Sequence, residues 1–232
     1  GVLEWQKAED WESFEATYRR DAMLVEHLKQ RGITGKRLIY LQDKAATLPA
    51  IRANLAKQIG RAGAGDTLLV YYCGHGFLEA GEGYFANYDS GDTRETWWSM
   101  RELVDTIQDT FKGERALLFV DCCHSGRLVE EVSRRSPTRI AYGVFTSSSA
   151  EETSTGNWTF TQALYDALTG SPLVDRNRDG AVTAAELGDH AADEMTVFEG
   201  QRNAVGMVGG FDAGTVLSRT PGKPVPARYG ER

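Results

Sequence analysis

Short apolar segments alternate with helical patterns along most of this chain. Buried strands are predicted at residues 67–73, 116–120 and 142–145, where apolar residues form short runs. The spacing of apolar residues predicts helices over residues 47–59, 99–111, 159–168 and 183–195. Strands that alternate with helices form a largely parallel sheet covered on both faces. We therefore expect an α/β fold with a central, mostly parallel sheet and helices on both faces.

Three less regular segments complete this prediction. Apolar residues between positions 14 and 28 indicate a helix that stops at Gly32. Residues 37–41 are predicted to form a further strand. Residues 79–96 are rich in glycine and acidic residues, which favours a loop.

The composition limits the classes of protein that the chain can represent. With 232 residues, 41% of them hydrophobic, the chain is long enough for a single buried core. The net charge is -7 and the basic residues are scattered, which argues against a nucleic-acid partner. No apolar stretch approaches the ~18 residues of a membrane span, and no secretory signal is recognised, so we expect a cytoplasmic protein without membrane contact. A start at Gly1 rather than Met is typical of a piece of a longer protein.

Two short motifs directly follow predicted strands. Residues 71–76 read Tyr-Tyr-Cys-Gly-His-Gly, and residues 121–126 read Asp-Cys-Cys-His-Ser-Gly. Ligands of parallel sheets bind beyond the carboxyl ends of the strands, where both motifs are expected. The glycines beside His75 keep side chains away from a substrate carbonyl and leave the Gly76 amide free to act as an oxyanion donor. We therefore expect a site that contains His75 and Cys123.

The two motifs together resemble those of the metacaspases and bacterial caspase homologues, which carry Ser-Gly-His-Gly and Asp-Ser-Cys-His-Ser-Gly at these places. The histidine precedes the cysteine by 48 residues here, and in caspases by about 50. Weaker matches at residues 21–23, 45–47 and 84–89 extend the resemblance over residues 1 to about 200. The resemblance implies a caspase-like three-layer sandwich and a cysteine-type endopeptidase.

The resemblance also implies roles for individual residues. Cys123 would be the nucleophile and His75 its partner, and the amides of Gly76 and Cys123 would form the oxyanion hole. In such chemistry a thiolate attacks the scissile carbonyl, the imidazole protonates the leaving amine, and backbone amides stabilise the oxyanion. This chemistry requires no cofactor. Cys73 and Cys122 stand where the family usually has serine or alanine, a change that leaves the dyad intact.

Two other interpretations of these residues stay open. In the first, Cys123 and His75 are ordinary core residues, which is the usual fate of either residue alone. In the second, Cys73, Cys122 and His124 join them in a zinc site, although adjacent residues lack the gaps with which loops surround a tetrahedral ion. Disulfides are disfavoured because the three cysteines are an odd number and two of them are adjacent. We expect His124 to be a structural residue in the turn after the nucleophile.

Substrate preference depends mainly on Asp121. The resemblance implies that this residue lines the first specificity pocket and favours Arg or Lys, as a carboxylate attracts a cation. Glu4 and Asp89 are candidates for a second polar or acidic residue of that pocket. Asp121 could instead cap a local turn. An Asp-specific protease of the caspase type and a catalytically silent caspase fold that acts as a binding module remain alternatives.

Residues 175–186 match the calcium-binding loop of EF-hands. The expected ligands are the side chains of Asp175, Asn177, Asp179 and Glu186 and the carbonyl of Ala181. Thr183 and Glu186 also form the pattern of a capping box, so the segment could simply be the entry turn of the next helix. Two arginines inside the loop weaken cation binding by repulsion. Calcium is the ion that this loop would bind, and the resemblance implies no role for the loop in activation.

The chain is predicted to form one domain followed by a tail. Residues 1–217 form the caspase-like domain, and residues 218–232 are a tail or linker rich in Pro and Gly. The basic residues 134–139 lie where related proteases carry an exposed intersubunit loop, so self-cleavage there is a hypothesis beside a plain solvated loop. The expected partners are a protein or peptide substrate and an activating protein, since bacterial homologues often act in larger systems.

Overall fold

The structure of the protein, a computed structural model, describes residues 1–221. The helices in this range are α1 (Arg20–Gln30), α2 (Leu48–Ile59), α3 (Met100–Thr110), α4 (Arg127–Ser133), α5 (Thr159–Thr169) and α6 (Ala184–Glu199). The strands are β1 (Thr67–Cys73), β2 (Gly76–Glu79), β3 (Glu82–Phe85), β4 (Trp98–Ser99), β5 (Arg115–Asp121), β6 (Ala141–Thr146), β7 (Ala181–Thr183), β8 (Ala204–Val208) and β9 (Val216–Arg219). No helix among these residues is long and apolar enough to cross a membrane.

Four strands form the central sheet in the order β1, β5, β6, β8. The first three are parallel, and β8 is antiparallel to its neighbour β6. Parallel neighbours need long crossover connections, which contain α3 between β1 and β5 and α4 between β5 and β6. The strands β2, β3 and β4 form a separate antiparallel sheet, and β7 pairs with β9. The mostly parallel central sheet confirms the predicted fold class.

Apolar side chains cover both faces of the central sheet. Successive residues of β5 point to opposite faces. Leu118 and Val120 pack in a core with α2, α3 and α4, whereas Leu117 and Phe119 pack in a second core with α1, α5 and α6. Leu118 and Phe119 are fully buried. Two helical layers therefore enclose the sheet, which confirms the predicted three-layer sandwich.

Two of the predicted elements near the start of the chain differ from the structure. Helix α1 begins only at Arg20, and residues 14–19 have no helical structure. Residues 37–41 do not form a strand. The Val2 amide donates to the Cys73 carbonyl (2.9 Å), and the Gly1 amino group donates to the Leu41 carbonyl (3.0 Å). The first two residues of the chain thus lie between Leu41 and the end of β1.

Two further differences concern glycine-rich segments. The predicted loop 79–96 contains the end of β2 and all of β3, joined by a two-residue turn in which Ala80 and Gly81 both have positive φ angles (49° and 79°). Such angles are typical of the turns that fit tight hairpins. Strand β8 was not predicted, since its Gly206 breaks the apolar pattern. Gly206 lies under α4, where an added Cβ would approach Val129 to 2.7 Å.

Strand β9 extends past residue 217, the predicted end of the domain. Ser218 lies in this strand, is buried, and donates a hydrogen bond to the Ala167 carbonyl of α5 (2.5 Å). The first residues of the predicted tail therefore pack against the domain. The rest of that tail, residues 222–232, lies outside the described residues.

Candidate active site

The parallel pairing of β1 and β5 brings the two motifs together. Cys73 at the end of β1 lies opposite Asp121 at the end of β5. The Gly74 amide continues the pairing with a hydrogen bond to the Asp121 carbonyl (3.3 Å). His75 and Cys123 each follow two residues later, so they emerge at the same carboxyl edge of the sheet.

Cys123 lies in a tight turn between β5 and α4. The next residue, His124, has a positive φ of 56°, which is uncommon for a residue other than glycine. The hydroxyls of Ser147 and Ser148 stabilise the turn by donating to the Cys122 carbonyl (3.3 and 3.0 Å). All three cysteines of the chain are free thiols, and Cys123 is the one that is not buried.

The other two thiols are poor candidates for a nucleophile. Burial raises the pKa of Cys73 to about 12, and burial raises the pKa of Cys122 well above its usual value. A thiol with a raised pKa stays protonated at neutral pH, whereas the thiolate is the reactive form. Cys123 is therefore the most suitable nucleophile of the three.

The sulfur of Cys123 contacts a segment far along the chain. The Ser154 amide donates to Cys123 Sγ (3.1 Å), and the thiol lies within 3.5 Å of the Ser154 carbonyl oxygen. An amide that points at sulfur stabilises negative charge on it. Ser154 was not predicted as a site residue.

His75 is covered by the first residues of the chain. Its Nε2 forms a hydrogen bond with the Glu12 carbonyl (2.7 Å), and the rings of Trp5 and Phe14 lie 4.6 and 4.5 Å from its own ring. Burial lowers the pKa of His75. Within residues 1–221, no hydrogen bond joins His75 to Cys123. The two residues are thus neighbours in the fold, and each is bound to a different partner.

Gly76 allows close contact between the two motifs. A Cβ at this position would lie 2.3 Å from the Cys123 carbonyl oxygen and 2.5 Å from Cys122 Sγ. Gly76 pairs with Phe85, and the Ala86 amide bonds the His75 carbonyl (3.0 Å). This pattern makes Gly76 and Phe85 a pair that exchanges no ladder hydrogen bonds. The Gly76 amide is therefore directed away from β3, as an oxyanion donor would have to be.

A narrow cleft lies beside Cys123. Its volume is about 40 Å³, and it is open to solvent. The cleft is lined by residues of both motifs, by the amino-terminal segment and by the segment after β6: Leu3, Phe14, Cys73, Gly74, Asp121, Cys122, Cys123, Ser154, Thr155, Gly156, Asn157 and Trp158.

Asp121 lines this cleft and also bonds the first turn of α5. Its Oδ2 accepts hydrogen bonds from the Thr161 amide (3.2 Å) and hydroxyl (2.6 Å). Burial raises the pKa of Asp121 to about 6, and the charge of Glu199 adds to this effect. The residue thus lies where a specificity pocket is expected and also caps a helix.

The two other acidic candidates lie elsewhere. Glu4 is exposed and does not line the cleft. Asp89 caps α2 by accepting a hydrogen bond from the Leu48 amide (2.7 Å). The structure therefore brings neither of them to Asp121. Glu199, which the sequence analysis did not single out, is the acid whose charge acts on Asp121.

The zinc site that was left open as an alternative interpretation is not formed. Within residues 1–221, no group of three or more His, Cys, Asp or Glu side chains is placed to hold a metal ion. His124 Nδ1 lies 3.2 Å from the Ala150 carbonyl oxygen, and the His124 amide donates to the Glu152 carbonyl (2.9 Å). These contacts hold His124 in the turn, and none of them involves the Cys123 sulfur.

The carboxylates of the loop 175–186 bind amides of the same loop. Asp175 accepts hydrogen bonds from the amides of Asp179 (3.1 Å) and Gly180 (3.0 Å). Glu186 accepts from the Arg176 amide (3.0 Å) and closes a full capping box with Thr183. Asn177 and Asp179 accept from the amides of Asp179 and Ala181 (2.8 and 2.9 Å). The side-chain oxygens that would bind calcium thus accept hydrogen bonds from backbone amides of their own loop and help to hold its shape.

The basic segment 134–139 is held by ion pairs. Arg134 pairs with Glu131 (2.6 Å), and Arg135 pairs with Glu131 (3.0 Å) and Asp105 (2.5 Å). Arg139 donates to the Gly113 carbonyl (3.2 Å). These contacts tie the segment to α3 and α4, and the segment is a loop whose residues 134, 136, 137 and 139 are exposed, as the sequence predicts.

The fold and the site together define an α/β sandwich with a histidine and a cysteine at the carboxyl edge of its parallel sheet. Comparison with protein families finds a match to the caspase domain of the C14 peptidases over residues 22–201. The protein therefore belongs to the caspase-domain family. This result confirms the resemblance that the two motifs indicated.

A solved structure supports the same fold. Protein GSU0716 of Geobacter sulfurreducens matches with a TM-score of 0.60 and 16% sequence identity, over 88% of each chain. At this identity the likeness shows the fold alone. None of the curated proteins compared with the chain matches it significantly.

Proposed function

We propose that the protein is a cysteine endopeptidase in which Cys123 is the nucleophile and His75 the general acid and base. The parallel register of β1 and β5 carries the proposal, because it brings both residues to one edge of the sheet, where Cys123 lines a cleft. Membership of the caspase-domain family supports a peptidase. The exposure of Cys123, in contrast to the burial of Cys73 and Cys122, supports its choice as nucleophile.

The reaction would follow the usual course for a thiol nucleophile. The Cys123 thiolate attacks the scissile carbonyl, and His75 protonates the departing amine and then activates water. The amides of Gly76 and Cys123 stabilise the oxyanion, and such donors contribute about 3–4 kcal/mol each. The hydrogen bond between Nε2 and the Glu12 carbonyl orients the imidazole and leaves Nδ1 to exchange a proton with Cys123. Within residues 1–221 no hydrogen bond joins His75 to Cys123, so the two side chains must approach each other before the reaction.

We expect cleavage after a basic residue, Arg or Lys. Asp121 is the acidic side chain that lines the cleft, and no arginine lines it. A carboxylate attracts a cation and repels the acidic side chain that an Asp-specific enzyme must accept. The composition of the cleft thus favours a basic substrate residue over the Asp-specific alternative.

Fluorogenic peptides that end in Arg, Lys or Asp test this function, each with and without calcium. We expect hydrolysis of the Arg and Lys peptides, loss of all hydrolysis in Cys123→Ala, and its retention in the matched variant Cys122→Ala. Hydrolysis that survives in Cys123→Ala would refute the proposed nucleophile. Hydrolysis of the Asp peptide alone would support the Asp-specific alternative.

The second candidate is a catalytically silent caspase fold that acts as a binding module. The lack of a hydrogen bond between His75 and Cys123 within residues 1–221 favours it, since the two side chains have separate partners. A peptide chloromethyl ketone that ends in Arg separates the two candidates. An enzyme should be alkylated at Cys123 faster by this reagent than by a chloromethyl ketone without the peptide, which carries the same reactive group. Equal rates, together with no hydrolysis of any peptide, would favour the binding module.

Calcium binding at residues 175–186 is a separate proposal. The donor set of Asp175, Asn177, Asp179, Glu186 and the Ala181 carbonyl suits a hard cation that prefers oxygen. A calcium ion at 100 times its dissociation constant would add about 2.7 kcal/mol to the free energy of unfolding. We expect calcium to raise the melting temperature, Glu186→Gln to abolish the rise, and the exposed Asp189→Asn on the same helix to leave it unchanged. A rise of equal size in Glu186→Gln would contradict the proposal.

The cellular setting follows from the thiols. Three free cysteines suit a reducing compartment, and we propose a cytoplasmic location. An activating protein partner, which we also propose, would displace the amino-terminal segment that covers His75. Self-cleavage within residues 134–139 stays a hypothesis. It predicts that wild type loses its intact band on long incubation while Cys123→Ala keeps it.

A further inference from the structure

Glu199 is the last residue of α6, and its side chain contacts the segment that borders the cleft. Its Oε2 accepts hydrogen bonds from the Thr155 hydroxyl (2.7 Å) and the Asn157 amide group (3.1 Å). Thr155 and Asn157 both line the cleft beside Cys123. Glu199 therefore lies directly behind one wall of the cleft.

The first turn of α5 connects Glu199 with Asp121. The Thr159 hydroxyl bonds Glu199, and the Thr161 hydroxyl bonds Asp121 (2.6 Å). The charge of Glu199 contributes to the raised pKa of Asp121, so the two carboxylates interact. Burial opposes ionisation of Glu199, but hydrogen bonds from three side chains lower its pKa overall. Glu199 is thus a charged carboxylate close to Asp121.

Neither carboxylate is neutralised by a basic side chain. Among residues 1–221, Asp121 and Glu199 form no salt bridge, whereas the buried acids Asp21 and Glu131 pair with arginines at 2.7 and 2.6 Å. Glu199 also lies at the carboxyl end of a helix, where the helix dipole disfavours negative charge. The folded chain therefore holds two acidic groups beside the cleft without the cation that would offset them.

We propose that Glu199 is a second acidic residue of the first specificity pocket and that, together with Asp121, it selects substrates with arginine at the cleavage site. The inference rests on the proposed endopeptidase function. A guanidinium presents five donors in a planar fork and can bond two carboxylates on different elements. The ammonium group of lysine is a compact point charge, so it gains less from the second acid. Arginine is therefore preferred over lysine.

A purely structural role for Glu199 would be to hold the segment 152–157. Other residues already do this. Gln201 accepts a hydrogen bond from the Thr155 amide (3.4 Å), and Arg202 forms a salt bridge with Glu152 (2.9 Å). Glutamine at position 199 keeps an oxygen for the Thr155 hydroxyl and the Asn157 amide group, which share Oε2, and its own amide group can donate to the Thr159 hydroxyl, which bonds Oε1. Glu199→Gln should thus remove the charge and leave the wall of the cleft in place.

The experiment measures peptide binding by calorimetry in a Cys123→Ala background, so that no hydrolysis occurs. The peptides end in arginine, in lysine or in citrulline, which has the shape of arginine without its charge. We expect Glu199→Gln to weaken binding of the arginine peptide about tenfold, to weaken the lysine peptide less, and to leave the citrulline peptide unchanged. Asp189→Asn, which removes a charge from an exposed position of the same helix, should change none of them.

Three results would overturn the inference. The first is an equal loss of affinity for the arginine and citrulline peptides in Glu199→Gln, which would mean that Glu199 only positions the wall of the cleft. The second is unchanged binding of the arginine peptide in Glu199→Gln. The third is no binding of the arginine peptide to the protein at all. The outcome is separate from that of the proposed function. Charge-selective binding without hydrolysis in the unmutated protein would refute the endopeptidase function and support the acidic pocket. Hydrolysis by the unmutated protein without an effect of Glu199→Gln on binding would support the endopeptidase function and refute the role of Glu199.

Discussion

At the scale of single residues, Gly76 is where the two motifs come closest. Its neighbours are the backbone oxygen of Cys123 and the sulfur of Cys122, both of which an added Cβ would approach to 2.5 Å or less. Neither neighbour is the flexible end of a long side chain. The requirement for glycine beside His75 is therefore steric, and it comes from the strand that carries the nucleophile.

We predict that Gly76→Ala destabilises the protein and disrupts the site. Overpacking of this kind costs about 1–3 kcal/mol, and in a chain of this size each kcal/mol lowers the melting temperature by about 2–4 °C. Thermal unfolding measures the effect. Gly65→Ala is the control, since no atom lies within 4 Å of a Cβ there. Equal melting temperatures for the two variants would show that the strand ends are further apart than described.

Asp121 predicts a dependence of stability on pH. Its pKa is about 6 in the folded protein and about 3.9 in an unfolded chain. A raised folded pKa means that the protonated group stabilises the fold below about pH 4, and that this contribution is lost as the pH rises through about 6. Asp121→Asn cannot ionise, so it should become more stable relative to wild type between pH 4 and pH 8, by at most about 3 kcal/mol.

Urea unfolding of both proteins at pH 4 and pH 8 measures this difference. Other ionisable groups, Glu199 and His75 among them, are present in both proteins, so their contributions to the difference largely cancel. The sign of the change is the decisive observation. A variant that loses stability relative to wild type as the pH rises would show that Asp121 is stabilised as a carboxylate.

At the scale of elements, the sequence predicts the strands that are buried on both faces. It misses the elements that depend on contacts with distant parts of the chain. Strands β1 and β5 were predicted within one residue, because continuous apolar runs are typical of strands covered on both faces. The strand expected at residues 37–41 is not formed, and the first residues of the chain bond Leu41 and the end of β1. A local apolar pattern does not show such contacts.

The same distinction holds within the candidate site. His75 and Cys123 were found because each lies in a motif at the end of a strand, and the register of two predicted strands places them side by side. Glu12, Ser154 and Glu199 were missed, since each reaches the site from a segment without a recognisable motif. Their roles come from tertiary contacts, and only the structure contains these.

The amino-terminal segment, residues 1–18, covers His75 and lines one side of the cleft. Phe14 lies 4.5 Å from the His75 ring and also lines the cleft. An aromatic contact of this kind contributes about 0.5–1.5 kcal/mol, so its removal should raise the population of open molecules about two- to tenfold. We predict that Phe14→Ala speeds both alkylation of Cys123 and peptide hydrolysis by this factor.

The control for this variant is Tyr18→Ala. Tyr18 belongs to the same segment and its side chain is 77% exposed, so its removal should leave both rates unchanged. Thermal unfolding of both variants separates local opening from general destabilisation. Slower alkylation in Phe14→Ala would mean that the segment supports the site instead of covering it.

At the scale of the whole molecule, the central sheet separates two apolar cores. One core contains residues of α2, α3 and α4, and the other contains residues of α1, α5 and α6. Strand β5 contributes side chains to both, and its neighbours β1 and β6 hold it from either side. The sheet is thus shared, and neither core can form without it. The residues that line the cleft come from segments that pack on both faces, so the cleft depends on the integrity of both cores.

This arrangement predicts that the two cores unfold together although their side chains do not touch. Ile107 lies in the first core and Leu187 in the second, and both are fully buried. Ile107→Val should cost about 0.5–1.5 kcal/mol and Leu187→Ala about 2–5 kcal/mol. Because they share no contacts, the costs in the double variant should add within about 0.5 kcal/mol, and each variant should unfold in one transition. Urea unfolding followed by tryptophan fluorescence and by circular dichroism tests both points. Two separate transitions, with only one shifted by each substitution, would instead show that the faces of the sheet fold as independent units.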